Sequence, residues 1–195
     1  MQQRSASSIK KDLRKHATPW STMTDVDIAL EELNTESDRG TMLLIATQLE
    51  DALAHYISSK LPGMTKSEHE GFLGPDGPAG AFGVKIKLAL GMGILNRRAY
   101  DALEIVRHIR NAGAHSIRPV TFDTPIIREA VISVASPDLA DQMQTANAEV
   151  VRLIFRMACL TILDSFAQLG GPGGHFKAIA MLTSSTEDLE DGDWR

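Results

Sequence analysis

The chain has 195 residues and a formal net charge of −5, and apolar residues make up 43% of it. That length suits one domain of ordinary size, and the apolar share is enough for a substantial core. The negative charge argues against a surface coated in basic residues for nucleic acid, although it leaves room for a local basic patch. The single cysteine, Cys159, excludes an intrachain disulfide and favours a reducing, cytoplasmic location.

The two ends differ in charge from the middle. Residues 1–22 form a basic arm, and residues 171–195 are Gly-rich and then acidic, so we expect a single helical domain at 23–170 between two tails that are candidates for disorder. The first residues lack the apolar stretch of a secretory signal, and no run of about 18 apolar residues predicts a membrane span.

Apolar residues between the tails recur at three- and four-residue steps, which predicts helices. A first helix is expected after a cap at Thr24 or Asp25, followed by a helix of about seven turns over 36–61 that Pro62 and Gly63 end. Residues 70–83 contain five glycines and two prolines, which predicts a loop.

Four more helices are predicted along the rest of the chain. One covers about 81–92, with Lys85 and Lys87 off its apolar stripe. The next begins after Asn96 as N-cap and ends near Gly113, and a short one begins at Pro125. The last is expected over 137–169, after a Ser136-Pro137 cap, with a buried stripe of Met143, Ala146, Val150, Ile154, Met157, Thr161 and Leu169. We therefore expect an all-α fold, a compact bundle of five to seven helices.

Motifs for metal, cofactor or nucleophilic chemistry are missing from the sequence. The six histidines show no His-x-x-x-His or Cys/His spacing, so no metal site is predicted. No phosphate-binding glycine loop and no Gly-x-Ser-x-Gly turn occur, so no cofactor is expected. Cys159 lies in an apolar helical run and is interpreted as core, and acidic pairs such as Glu50-Asp51 are interpreted as solvated helix faces.

Three blocks in the chain resemble the bacterial mannitol operon repressor family. They are "ESDRGTMLLIATQLEDALAHYI", "FLGPDGPAGAFGVKIKLALGMGILNRRAYDALEIVRHIRNAGAHS" and "VTFDTPIIREAV", in that order, and they span about residues 36–135. The resemblance implies a dimeric transcriptional regulator that acts through a protein or ligand partner and not through a helix-turn-helix. It implies a binding protein and not an enzyme. Direct contact with duplex DNA is expected to be weak. Neutralisation of DNA phosphates by basic residues normally supplies much of the affinity, and the net charge of this chain is negative.

A more distant resemblance, to HEPN-domain helical bundles, rests on "RNAGAH" at 110–115. It implies an alternative function, a metal-independent endoribonuclease of toxin or defence systems that uses Arg110, Asn111 and His115 across a dimer interface. A histidine can accept the proton of a 2′-hydroxyl, and an arginine can hold the phosphate. On a continuous helix, however, Arg110 and His115 lie about 140° apart, so this function requires a break at Gly113.

The same residues are also consistent with a structural role. Arg110 continues the apolar stripe of its helix and is able to reach a buried carboxylate, for which Glu36, Asp38 and Glu50 are candidates. His115 would then close the helix C-terminus, where a cationic or hydrogen-bonding side chain is favoured. The predicted binding or structural clamp consists of Asp38, Arg39, Glu50, Arg110 and His115. The direction in which Arg110 points separates the two hypotheses.

Overall fold

The computed structural model describes Ser7, Leu33, residues 35–135 and residues 145–169. Within these residues the chain is 73% helical and contains no strand. The helices are α1 (Asp38–Ser59), α2 (Lys66–Leu73), α3 (Phe82–Gly91), α4 (Arg97–His115), α5 (Pro125–Val134) and α6 (Ala148–Leu169). The predicted all-α bundle is confirmed. Apart from Ser7 and Leu33, the basic arm and the helix predicted after Thr24 or Asp25 lie outside the described residues, and so do the Ser136-Pro137 cap and the acidic tail.

Local side-chain chemistry accounts for where several helices begin. The Ser37 hydroxyl accepts a hydrogen bond from the amide of Gly40 at 3.0 Å, and the Asn96 side chain accepts one from the amide of Ala99 at 2.8 Å. Each bond satisfies an amide that has no partner inside its helix. Pro125 occupies the first turn of α5, where its missing N–H costs nothing. The predictions for Asn96 and Pro125 are therefore confirmed.

The loop predicted over 70–83 is wrong at its start, because α2 continues to Leu73. A capping box starts this short helix: Thr65 accepts from the amide of Glu68, and the Glu68 carboxylate accepts from the amide of Thr65 at 2.7 Å. The reciprocal bonds explain how a polar segment of eight residues becomes helical next to a glycine-rich loop.

Helix α1 forms the centre of the bundle and packs against α3, α4 and α6. It runs in the same direction as α6, since Asp38 lies 3.5 Å from Arg152 at one end and the ring of Tyr56 stacks on that of Phe166 at the other, with centroids 6.1 Å apart. It runs opposite to α4, because its first residues contact the end of α4. The first turn of α1 thus meets the last turn of α4 and the first turn of α6 at one end of the bundle.

The prediction for the last helix is wrong in its start and in its buried face. Residues 145–147 are not helical, and Asn147 begins α6 by accepting a hydrogen bond from the amide of Val150 at 3.0 Å. The buried side chains of α6 are Val151, Phe155, Ala158, Cys159, Ile162, Leu163, Ser165 and Phe166, and not the predicted set that included Val150, Ile154 and Met157. Cys159, interpreted as core, is fully buried.

Over the residues that the structure describes, no helix combines the length and apolar character needed to cross a lipid bilayer.

Candidate functional site

Helix α4 continues without interruption through Gly113 to His115, two residues beyond its predicted end near Gly113, so the break that the ribonuclease alternative requires is absent. Gly113 is buried where α1 passes, and a Cβ placed on it would lie 3.5 Å from the Cβ of Met42, an ordinary contact distance. Because the helix is continuous, Arg110 and His115 point in directions about 140° apart. The structure therefore does not bring these two side chains together within one chain.

Arg110 points toward α1 and contacts Glu50. Its Nη2 atom donates to Oε2 of the Glu50 carboxylate at 3.2 Å, and the two side chains are 29% and 18% exposed. Glu50 is one of the three carboxylates predicted as partners for Arg110. The solvated-face interpretation of Glu50 is wrong, because its neighbours remove most of its surface from water.

Lys85 also contacts Glu50, and the sequence analysis did not predict this role. Its Nζ donates to Oε1 of Glu50 at 2.8 Å and to the carbonyl of Gly80 at 2.6 Å, and the side chain is only 6% exposed. The interpretation that Lys85 lies off the buried stripe of α3 is thus wrong. Its spacing of three residues from Phe82 was the available signal, since that step returns to the same helix face. We call Glu50, Lys85 and Arg110 the Glu50 cluster.

Asp51, next to the Glu50 cluster, shows the electrostatic consequence of this crowding. Although the residue as a whole is exposed, neighbouring protein atoms partly desolvate its carboxyl group and raise its pKa. The adjacent Glu50 charge raises the pKa further, and Lys85 partly offsets both effects. Ionised Asp51 is therefore less stable in the folded chain than in water.

Asp38 and Arg39 tie the segment after α4 to the start of α1. The Arg39 guanidinium donates to the carbonyls of Ser116 at 3.1 Å and Arg118 at 2.9 Å. The Asp38 carboxylate accepts from the amide of Phe122 at 3.0 Å. Charged groups on one helix thereby hold several backbone groups of a neighbouring loop, which rigidifies that loop.

Arg152 extends this network from α6. Its guanidinium donates to the carbonyl of Leu33 at 3.0 Å and to that of Glu36, and it lies 3.5 Å from the Asp38 carboxylate. Sequence reasoning missed Arg152, because the backbone carbonyls that it contacts lie more than a hundred positions away in the chain. Asp38 and Arg152 together hold the first turns of α1 and α6 next to each other.

His115 lies exposed at the last position of α4, on the helix face that Asn111 shares one turn earlier. Its role in closing the helix C-terminus stays a prediction, as does a catalytic role for His115 and Asn111. Of the predicted clamp residues, the structure joins Arg110 to Glu50, and separately joins Asp38 and Arg39 to the loop after α4.

An open groove of about 470 Å³ lies beside this loop. It is lined by Ser37, Asp38, Arg39, Ile117, Pro119, Val120 and Thr121. The Ile117 side chain is fully exposed, while the loop that carries it is fixed by Arg39 and by a hydrogen bond from the Ser116 hydroxyl to the carbonyl of Arg118 at 2.9 Å. An apolar side chain held out on a rigid loop is suited to contact a partner, because little conformational entropy is lost on binding.

The described residues were compared with what a metal site and a cysteine nucleophile require. No group of His, Cys, Asp and Glu among these residues is arranged to hold a metal ion. Complete burial of the Cys159 thiol raises its pKa beyond the ordinary range. The protonated thiol is the stable form at neutral pH, and a nucleophile requires the thiolate.

The fold matches that of a chain in the X-ray structure of the MtlR–HPr complex from Escherichia coli. The TM-score is 0.58 at 19% sequence identity, and the match covers 72% of this chain and 97% of that chain. The sequence matches no protein-family model and no curated protein. The resemblance to the mannitol operon repressor family is thereby supported at the level of the fold.

Proposed function

We propose that this protein is a cytoplasmic transcriptional regulator of the mannitol operon repressor type, which acts by binding other proteins. The observation that carries the proposal is the shared fold with a chain that was solved bound to the protein HPr. The three sequence blocks over residues 36–135 support the same function. The net charge of −5 is consistent with a regulator that contacts DNA weakly or through a partner.

The groove beside Ile117 is the surface that we assign to the protein partner. An exposed isoleucine next to Pro119 and Val120 supplies the apolar centre of an interface, and the neighbouring Arg39 and the exposed Arg118 supply a polar rim. The hydrogen bonds from Arg39 keep this surface in one shape before the partner arrives. We infer that Asp38 and Arg39 are structural clamps for this site.

Calorimetric titration with HPr from the same bacterium tests the proposal. We expect saturable binding to the wild-type protein, at least tenfold weaker binding to Ile117→Asp, and wild-type binding to Ile126→Asp. Ile126 is the matched control because it is an exposed isoleucine on α5, at 65% exposure, and does not line the groove. Absence of heat and of co-elution with HPr at 100 µM protein would reject HPr as the partner.

Control of transcription requires a second measurement. Deletion of the gene should change transcript levels of a sugar-alcohol uptake operon, and the Ile117→Asp protein should fail to restore them at equal cellular abundance. Unchanged transcripts in the deletion strain would contradict the regulatory part of the proposal while leaving partner binding intact.

The ribonuclease alternative, with Arg110, Asn111 and His115, has weaker support. Arg110 already donates to Glu50, and His115 lies on another face of α4. An arginine that neutralises a protein carboxylate is less available to a phosphate. We therefore propose Arg110 and Glu50 as a structural clamp between α4 and α1.

A further inference from the structure

Helix α6 is apolar on two faces, and only one of them packs against the rest of the described chain. Val150, Leu153 and Met157 are 41%, 50% and 58% exposed, and Ile154 beside them is half-buried. These four residues, which we call the outward stripe, recur at three- and four-residue steps and so lie along one side of the helix. The opposite side carries the core residues, Val151 and Phe155 among them.

An exposed apolar stripe of this kind is expected to be buried against a partner. Contiguous exposed apolar patches mark association surfaces. The outward stripe is also nearly symmetric along the helix, with Val150 and Met157 at its ends and Leu153 and Ile154 in the middle. Such a stripe matches itself when a second copy lies across it in the opposite direction.

The charges beside the stripe favour the same partner and orientation. At about 100° per residue, Glu149 and Arg156 lie within about 20° of each other on one flank of the stripe. When two copies of the helix pack antiparallel about a two-fold axis, the same flank of each copy meets. Glu149 of each copy then faces Arg156 of the other copy. Arg156 is partly buried next to Arg152, and both effects lower its pKa.

We propose that the outward stripe of α6 is a homodimer interface in which two α6 helices pack antiparallel, with the two-fold axis between Leu153 and Ile154. The inference is independent of the regulatory function proposed above. The stripe extends over about 10 Å of helix, which is smaller than a standard protein interface, so the expected dissociation constant is in the micromolar range.

Disulfide trapping tests the orientation of the two helices. In the antiparallel pair, Leu153→Cys cross-links to itself under mild oxidation, whereas Val150→Cys and Met157→Cys cross-link only when the two variants are mixed. The wild-type chain supplies the background, because its sole cysteine, Cys159, is fully buried. Self-cross-linking of Val150→Cys and of Met157→Cys, each alone, would overturn the antiparallel arrangement.

Sedimentation equilibrium between 1 and 200 µM tests the dimer itself. We expect a monomer–dimer equilibrium for the wild type, a monomer for Leu153→Glu, and about tenfold weaker association for Glu149→Arg. The melting temperature of Leu153→Glu should equal that of the wild type at the dilute end of this range, where the dimer no longer stabilises the wild type by mass action. Ile126→Glu places the same charge on an exposed isoleucine of α5 and should associate as the wild type does. A wild type that stays monomeric would overturn the proposal, and so would a monomer that Leu153→Glu destabilises, since the stripe would then be covered by the chain itself.

Discussion

Arg110 of α4 donates a hydrogen bond to the Glu50 carboxylate of α1 across 3.2 Å. The same carboxylate accepts from Lys85 at 2.8 Å, so one acid on the central helix pairs with two cations from two other helices. This relationship directs Arg110 toward α1 and away from His115. It also makes Glu50 the member of the cluster whose loss should matter most.

Glu50→Gln should lower the free energy of unfolding by about 3 kcal/mol, because it removes the charge of the carboxylate to which the buried Lys85 ammonium donates. Lys85→Met should lower the free energy of unfolding by clearly less, because the methionine packs where the lysine stem lies and Arg110 still pairs with Glu50. Urea denaturation of the two variants and of the double variant measures both costs. Equal losses in the single variants would contradict the central position of Glu50.

Arg110→Ala and His115→Ala should differ in their effect on stability, and neither variant should cleave RNA. The first removes an ion pair between helices and should lower the melting temperature, whereas the second truncates an exposed side chain and should not. Neither variant nor the wild type should cleave a mixed RNA substrate in the presence of a metal chelator. Cleavage by the wild type that both substitutions abolish would establish the ribonuclease function in place of the regulatory one.

Gly113→Ala should stabilise the protein by about 0.5–1 kcal/mol, because alanine is the better helix former and the added Cβ meets Met42 at an ordinary contact distance. Thermal unfolding followed by circular dichroism measures the change. Gly74→Ala is the contrasting variant: its Cβ would lie 2.3 Å from the carbonyl oxygen of Glu70, so it should destabilise. A loss of stability in Gly113→Ala would indicate that α4 bends or opens at this glycine.

Asp51→Asn should raise the melting temperature at neutral pH. The pKa of Asp51 is raised in the folded chain above its ordinary value of 3.8, so the unfolded chain releases this proton at lower pH. Its ionisation therefore destabilises the fold progressively as the pH rises above 3.8, and the full cost is reached above the raised pKa. Below 3.8 the carboxyl is protonated in both states and the advantage of asparagine should vanish.

Melting curves between pH 3 and 8 for wild type and Asp51→Asn test this expectation. Glu129→Gln on the exposed face of α5 removes the same charge elsewhere and controls for net charge. A stabilisation by Asp51→Asn that is equal at pH 3 and pH 7 would show that its origin is not the ionisation of this carboxyl group.

The starts of α4 and α5 were predictable because Asn96 and Pro125 act on the backbone within one turn of themselves. The missed helix α2 depends on equally local bonds between Thr65 and Glu68, but the nearby glycines and prolines concealed that signal. The end of α4 was placed near Gly113 by the same reasoning, since glycine commonly ends helices. The helix nevertheless continues to His115, with Gly113 packed against Met42 of α1.

The sequence by itself determined the helical class of this protein and several helix ends, because apolar spacing and capping act over one to four residues. Only the tertiary structure decided which stripe of α6 is buried, since both faces of that helix are apolar and have the same period. It also decided the partner of Arg110, because Glu50 lies sixty positions away and several acids were equally plausible. Contacts between distant segments depend on how the helices pack, and a local pattern does not contain that information.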